Sequence, residues 1–143
     1  MNGARRCGAA SSESLHQNSY LYVVELDGQV IAFANFGPKR DDYPQFDCEM
    51  YAIYIVQEHH GKGYGRALMM AAMERMAQDG CKAMYVWVME QNPAIQFYEG
   101  LGGVRFDERP IDIAGTVVTE YAYGYSSLGT PRSSAPTSSI SPP

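Results

Sequence analysis

With 143 residues, 45% of them hydrophobic, the chain has room for one domain and enough apolar material for a single core. A net charge of −5 argues against a nucleic-acid partner, and no window approaches the roughly 18 apolar residues of a membrane span. No basic-then-apolar leader opens the chain, so a soluble, cytoplasmic protein is expected.

Residues 1–19 are Gly, Ala, Ser and polar residues without periodicity and are expected to form a poorly ordered lead. Tyr20–Leu26 is an apolar, β-prone run, Asp27-Gly28 supplies a hairpin turn, and Val30–Asn35 is the returning strand. A charged, proline-bearing loop spans Gly37–Pro44. The strand from Asp47 to Val56 alternates strictly. Asp47, Glu49, Tyr51, Ile53 and Ile55 share one face, and Cys48, Met50, Ala52, Tyr54 and Val56 the other.

That strand delivers the chain to His60-Gly61-Lys62-Gly63-Tyr64-Gly65-Arg66. Glycines at every second position let the backbone turn sharply and bring its N–H groups close to a ligand. The following helix, from about Tyr64 to Asp79 with Gly80 as its stop, directs its unpaired first-turn N–H groups and positive dipole end into the same space. The combination is a seat for a phosphate or pyrophosphate; a plain strand-to-helix turn is the alternative. Lys62 is followed by glycine, which excludes a Walker A loop, and the third glycine falls one residue early for a dinucleotide-binding GxGxxG. Met69, Ala72, Met73 and Met76 recur at helical spacing and read as a core stripe in preference to a soft-metal site. Cys7, Cys48 and Cys81 are scattered, odd in number and without metal spacing, so small buried or incidental cysteines are expected instead of a disulfide framework, and no metal is expected.

Ala83–Met89 is a nearly continuous apolar run, expected as a strand buried on both faces by flanking helices. Asn92 is suited to cap a helix that opens at Pro93 and ends near Gly102. Val104–Glu108 and Thr116–Tyr125 are the closing strands, and residues 126–143 form a Ser/Pro-rich tail. The order β-β-β-α-β-α-β-β predicts an α/β layer fold around a mixed, partly antiparallel sheet flanked by helices.

The glycine loop resembles the acyl-CoA loop of the GNAT superfamily of N-acetyltransferases, written Arg/Gln-x-x-Gly-x-Gly/Ala after a strand, with His60 at the place of the usual Arg or Gln. Asn92-Pro93-Ala94-Ile95-Gln96-Phe97-Tyr98-Glu99-Gly100-Leu101-Gly102 is similar to a second segment of the same family, Asn-Pro…Phe-Tyr-Glu-x-Leu-Gly. The resemblance covers Tyr20–Tyr125, so a domain is expected over residues 20–125. The strand and helix pair that open the family fold have no counterpart among the preceding residues.

The resemblance implies acetyl-CoA as co-substrate and transfer of an acetyl group to a primary amine of a small molecule or peptide. It places the pantetheine arm along Ile53, Tyr54 and Ile55, with an oxyanion donor at the N–H of Ile55 or a neighbour, and the pyrophosphate at His60, Gly61, Lys62, Gly63, Tyr64, Gly65 and Arg66. Asn92 and Tyr98 fall near the cofactor. Tyr98 is the implied acid for the departing thiolate and Glu49 the implied base, while His59 and His60 lie too near the phosphates for that role. The alternative is a truncated, weakly active or inactive acyl-CoA-binding relative that acts through a partner or self-association. A homodimer would fill the sheet face left open before Tyr20.

Overall fold

The computed structural model describes residues 6–11 and 19–128. Seven strands form one sheet in the order β1-β2-β3-β4-β5-β7-β6, with β1 Arg6–Ser11, β2 Tyr20–Leu26, β3 Gln29–Pro38, β4 Cys48–Ile55, β5 Met84–Met89, β6 Val104–Ile113 and β7 Thr116–Tyr125. Helix α1 spans Tyr64–Gln78 and α2 spans Ala94–Gly100. All neighbouring strands run antiparallel except β4 and β5, so the expected mixed α/β fold is present. The tail lies beyond the described residues from 129 onward; before that, Leu128 packs against the core and its N–H bonds to the Lys82 carbonyl.

The methionine stripe is core. Leu68, Met69, Ala72 and Met76 of α1 are buried against Ala32, Ala34, Phe36, Met50, Met84 and Val86 on one face of the sheet. The other face of β5 carries Tyr85 and Trp87, which pack with Tyr43, Phe46 and Phe106. Strand β5 is therefore buried on its second face by a loop, residues 39–47, and not by the helix expected from its apolar run.

Three further expectations are corrected. First, the lead, expected to be poorly ordered and to hold no strand ahead of Tyr20, contains β1, which pairs in register with β2 from Arg6 opposite Glu25 to Ser11 opposite Tyr20. Its sequence has no β-branched residue, but a sheet edge offers a row of backbone partners to any segment within reach; residues 1–5 and 12–18 of the lead lie outside the described residues. Second, Cys48 and Cys81 are not incidental: they form a disulfide, with Cα atoms 6.3 Å apart, well within the usual span. Third, Glu49 does not share a face with Ile53. Met50 pairs with Phe36 and Ala52 with Asn35, so Tyr51 is an extra residue in β4, a bulge that reverses the alternation. Met50, Ile53 and Ile55 all pack toward the α1 side, and Glu49 toward the Tyr85 side.

Beyond the bulge the sheet opens. Strands β4 and β5 pair only through Cys48 with Met84, Glu49 with Tyr85 and Met50 with Val86. Among the described residues, no strand lies beside the outer edge of β4 from Tyr51 to Ile55.

Candidate active site

The opening between β4 and β5 is a cavity of about 760 Å³, walled by the end of β4, the loop into α1 and the first turns of α2, a size usual for small-molecule sites. Ile53, Tyr54, Ile55, His60, Gly61, Gly63, Tyr64, Gly65, Arg66, Asn92 and Tyr98 all line it; of the expected cofactor residues only Lys62 does not. His59 and Phe97 line it as well. Phe97 was within reach of sequence reasoning, since it precedes Tyr98 on the same short helix.

Glycine is required at two points of the loop for different reasons. Gly63, the residue before α1, is left-handed at φ 90°, a conformation that strains any residue with a Cβ. Gly65 is a contact point: a Cβ there would lie 3.1 Å from Ile55 Cδ1 and 3.3 Å from the Phe97 ring, so a side chain would push these neighbours aside by a few tenths of an ångström. The first intrahelical bond at this end runs from Ala67 N–H to the Gly63 carbonyl, which leaves the N–H groups of Tyr64, Gly65 and Arg66 without helical partners. Among the described residues no side chain caps this end, and no acid stands in the first turn. The cavity therefore meets uncompensated donors and the positive end of a 15-residue helix, an arrangement selective for an anion.

The free edge of β4 supplies a second set of backbone groups. Val56 N–H bonds to the Ile31 carbonyl of β3 at 2.9 Å. Alternation along an antiparallel ladder then turns the N–H and C=O of Ile53 and Ile55 the other way, into the opening. One of these is already engaged: His60 Nε2 lies 2.8 Å from the Ile55 carbonyl oxygen. A carbonyl only accepts, so Nε2 carries the proton.

Tyr98 is 4% exposed and its ring stacks on Tyr123. Its backbone carbonyl accepts from the Tyr125 hydroxyl at 2.7 Å and from Gly103 N–H at 3.0 Å, which fixes the end of α2 on the sheet. Among the described residues its own hydroxyl has no hydrogen-bond partner, and burial alone pushes its pKa up to about 12. The phenol therefore stays neutral and free to donate. Asn92 takes the capping role expected of it: Oδ1 accepts from Ala94 N–H at 2.8 Å.

Glu49 lies on the far side of the sheet from Tyr98. It is 1% exposed. Arg40 grips it through Nε and the backbone N–H to Oε1 and through Nη2 to Oε2 at 2.7 Å, and the Tyr85 hydroxyl also reaches Oε1. Beside it, Asp41 accepts from Tyr85 and from Trp87 Nε1 and pairs with Arg109, which lies over the Trp87 ring. These contacts tie residues 39–47 down over the second face. Arg109 also pairs with Glu120, so the face is a lattice of acids and arginines around aromatic rings. Among the described residues no His, Cys, Asp and Glu group could hold a metal ion, and no helix is long and apolar enough to cross a membrane.

A family model described as Acetyltransferase (GNAT) family matches residues 5–102. The chain is similar to the Uncharacterized N-acetyltransferase YuaI of Bacillus subtilis (strain 168), 42% identical over 101 residues, covering 71% of this chain and 58% of that protein. It is 29% identical over 91 residues to the Mycothiol acetyltransferase of Paenarthrobacter aurescens (strain TC1), covering 62% of this chain and 28% of the relative. The chain thus spans less than two thirds of either relative. Among solved structures, the ribosomal-protein-S18-alanine N-acetyltransferase from Escherichia coli superposes with a TM-score of 0.64 at 18% identity, covering 78% of this chain and 70% of that one. The structure of yncA from Salmonella typhimurium with its cofactor acetyl-CoA gives 0.64 at 23% identity, covering 76% and 64%. At these identities the two structures speak to the fold alone.

Proposed function

Because the chain belongs to the GNAT acetyltransferase family, we propose that it transfers an acetyl group from acetyl-CoA to a primary amine of a small molecule or peptide. One observation carries this reading: a single cavity joins an uncapped, glycine-led helix N-terminus to a strand edge released from its neighbour. The first suits a diphosphate and the second an extended arm bearing amides. Acetyl-CoA has both, and it supplies an activated acyl thioester when bound. Gly61–Arg66 would hold its diphosphate, Ile53–Ile55 would pair with its amides, and Asn92 and Tyr98 would flank the arm.

The chain's own residues supply the rest. A backbone N–H of Ile55 or Ile53 donates to the carbonyl oxygen as negative charge gathers there. Tyr98, held neutral by burial, gives its proton to the departing sulfur. Glu49 and Tyr98 stand on opposite faces of the sheet, which suits a transfer in which the amine arrives from one side and the thiolate leaves on the other. Glu49 is the group assigned to take the amine proton, with Arg40, half exposed on its loop, as the cation an incoming amine displaces. The acidic balance of the chain, −5 overall, favours a cationic acceptor.

The grip of Arg40 on Glu49 favours a second reading, an acyl-CoA binder with weak or no turnover. Thermal melts with and without acetyl-CoA, followed by free-thiol release over an amine panel, separate the two. At about a hundredfold over the dissociation constant, binding adds roughly 2.7 kcal/mol, or several degrees. A shift with thiol release supports the enzyme, a shift without it the binder, and no shift from a folded sample removes both.

A further inference from the structure

We propose that His60 is a positioning residue that fixes the register in which an acyl-bearing ligand pairs with the free edge of β4. The inference rests on the acetyl-CoA reading of the cavity and deepens it.

The edge that faces the opening offers four backbone groups, the N–H and C=O of Ile53 and of Ile55. An open edge of this kind is permissive: an extended ligand with amide groups pairs with any rung that matches its spacing, and a slip of one rung displaces its far end by several ångströms. His60 removes the ambiguity. Its Nε2–H occupies the Ile55 carbonyl at 2.8 Å, the rung nearest the glycine loop. What remains is a donor at Ile55, an acceptor at Ile53 and a donor at Ile53. A ligand N–H finds its acceptor only at Ile53, so the arm is set in one register while its diphosphate is held at Gly61–Arg66. Because the thioester end lies at the far end of the arm, this register determines where the acyl carbon falls relative to Tyr98.

The bond has a second consequence. The Ile55 carbonyl shares its peptide plane with Val56 N–H, which bonds to the Ile31 carbonyl on the β3 side. His60 closes a short ring from the strand to the loop, across five residues, and holds that plane from the cavity side as well.

The test compares His60→Leu, which keeps the bulk and removes the donor, with His60→Gln, whose amide nitrogen stands the same number of bonds from Cβ as Nε2. Each variant is titrated with acetyl-CoA and with adenosine 3′,5′-bisphosphate extended to the 5′-diphosphate, which lacks the pantetheine arm, and is assayed for thiol release. The expected result is that His60→Leu loses about five- to tenfold in affinity for acetyl-CoA, as for one hydrogen bond, and loses more in turnover, while the arm-less diphosphate binds as in the wild type. His60→Gln restores both. Equal loss for both ligands in His60→Leu would show that the imidazole merely supports the loop and would overturn the register role. Wild-type affinity and turnover in His60→Leu would overturn it as well. If the wild-type protein itself binds no acetyl-CoA, it is the acetyl-CoA reading that fails, so the two failures are told apart.

Discussion

Replacing Tyr98 by Phe removes a single oxygen, and the structure sets opposite expectations for chemistry and for stability. Among the described residues the hydroxyl has no hydrogen-bond partner, and the ring is held by Tyr123 and by the contacts that pin its own carbonyl. Phe keeps every one of those contacts. A hydroxyl at the cavity wall that makes no protein hydrogen bond adds nothing to hold the fold, so its loss should leave stability within about 1 kcal/mol, on the order of a few degrees. Burial moves the phenol from its usual 10.0 to about 12, a bias of about 3 kcal/mol toward the protonated form. A group kept protonated and unpaired at the cavity wall is poised to donate, and loss of a general acid lowers kcat by about 10²- to 10⁴-fold. KM for acetyl-CoA should stay within about twofold, because the oxygen acts only as the sulfur departs. Thiol release at saturating acetyl-CoA, with a melt of each variant, measures both. Unchanged kcat in a stable Tyr98→Phe protein would refute the acid assignment. A drop in melting temperature of several degrees would refute the claim that the hydroxyl has no structural partner.

Glu49→Gln should lower kcat, with a stability loss of about 1–2 kcal/mol from the weakened Arg40 pairing; wild-type kcat would leave Glu49 only as the anchor of residues 39–47. Stability should fall as pH rises from about 10 to about 12: Tyr43, Tyr51 and Tyr98 are each pushed up to about 12, chiefly by burial, so the unfolded chain releases their protons first. Denaturant midpoints followed with phenolate absorbance across that window would show it, and a flat profile would count against it. Reducing the Cys48–Cys81 disulfide opens a loop of 33 residues and should remove about 3 kcal/mol. The Cys48→Ser, Cys81→Ser protein should then melt at one temperature with or without reductant, and wild-type protein carrying three free thiols without reductant, instead of one, would contradict the cross-link.

The parts of the site legible in the sequence were those fixed by local chemistry. Gly63 has a left-handed backbone and Gly65 sits where a Cβ would crowd Ile55 and Phe97, and both demands leave a mark on the chain. The methionine stripe and the two helix starts follow the same logic. The rest depends on partners distant in sequence. The bulge at Tyr51 exists because Phe36 and Asn35 pair across it, and nothing in the regular alternation of residues 47–56 announces it, so Glu49 was placed on the wrong face. Strand β1 has no strand-like composition and is formed by the edge that β2 offers. Cys48 and Cys81 meet only because α1 returns the chain to the start of β4. The grip of Arg40 on Glu49 likewise required a loop to fold back over the sheet.

The sheet is two panels sewn together by three residue pairs, with β1 to β4 in one panel and β5 to β7 in the other. Mechanically this is a seam. Any flexing of the sheet concentrates there, because elsewhere each panel is braced by long ladders and by one shared helix face. A molecule seated in the gap adds rungs where the seam has none and joins the panels along a greater length. Amides of Met50 and Val86 should therefore exchange with solvent more slowly in the occupied protein, even though neither residue touches the cavity. The disulfide begins at the first stitch of this seam, Cys48, and ties it to the far end of the helix whose other end faces the gap. Filling the gap and sealing the seam are thus one mechanical event.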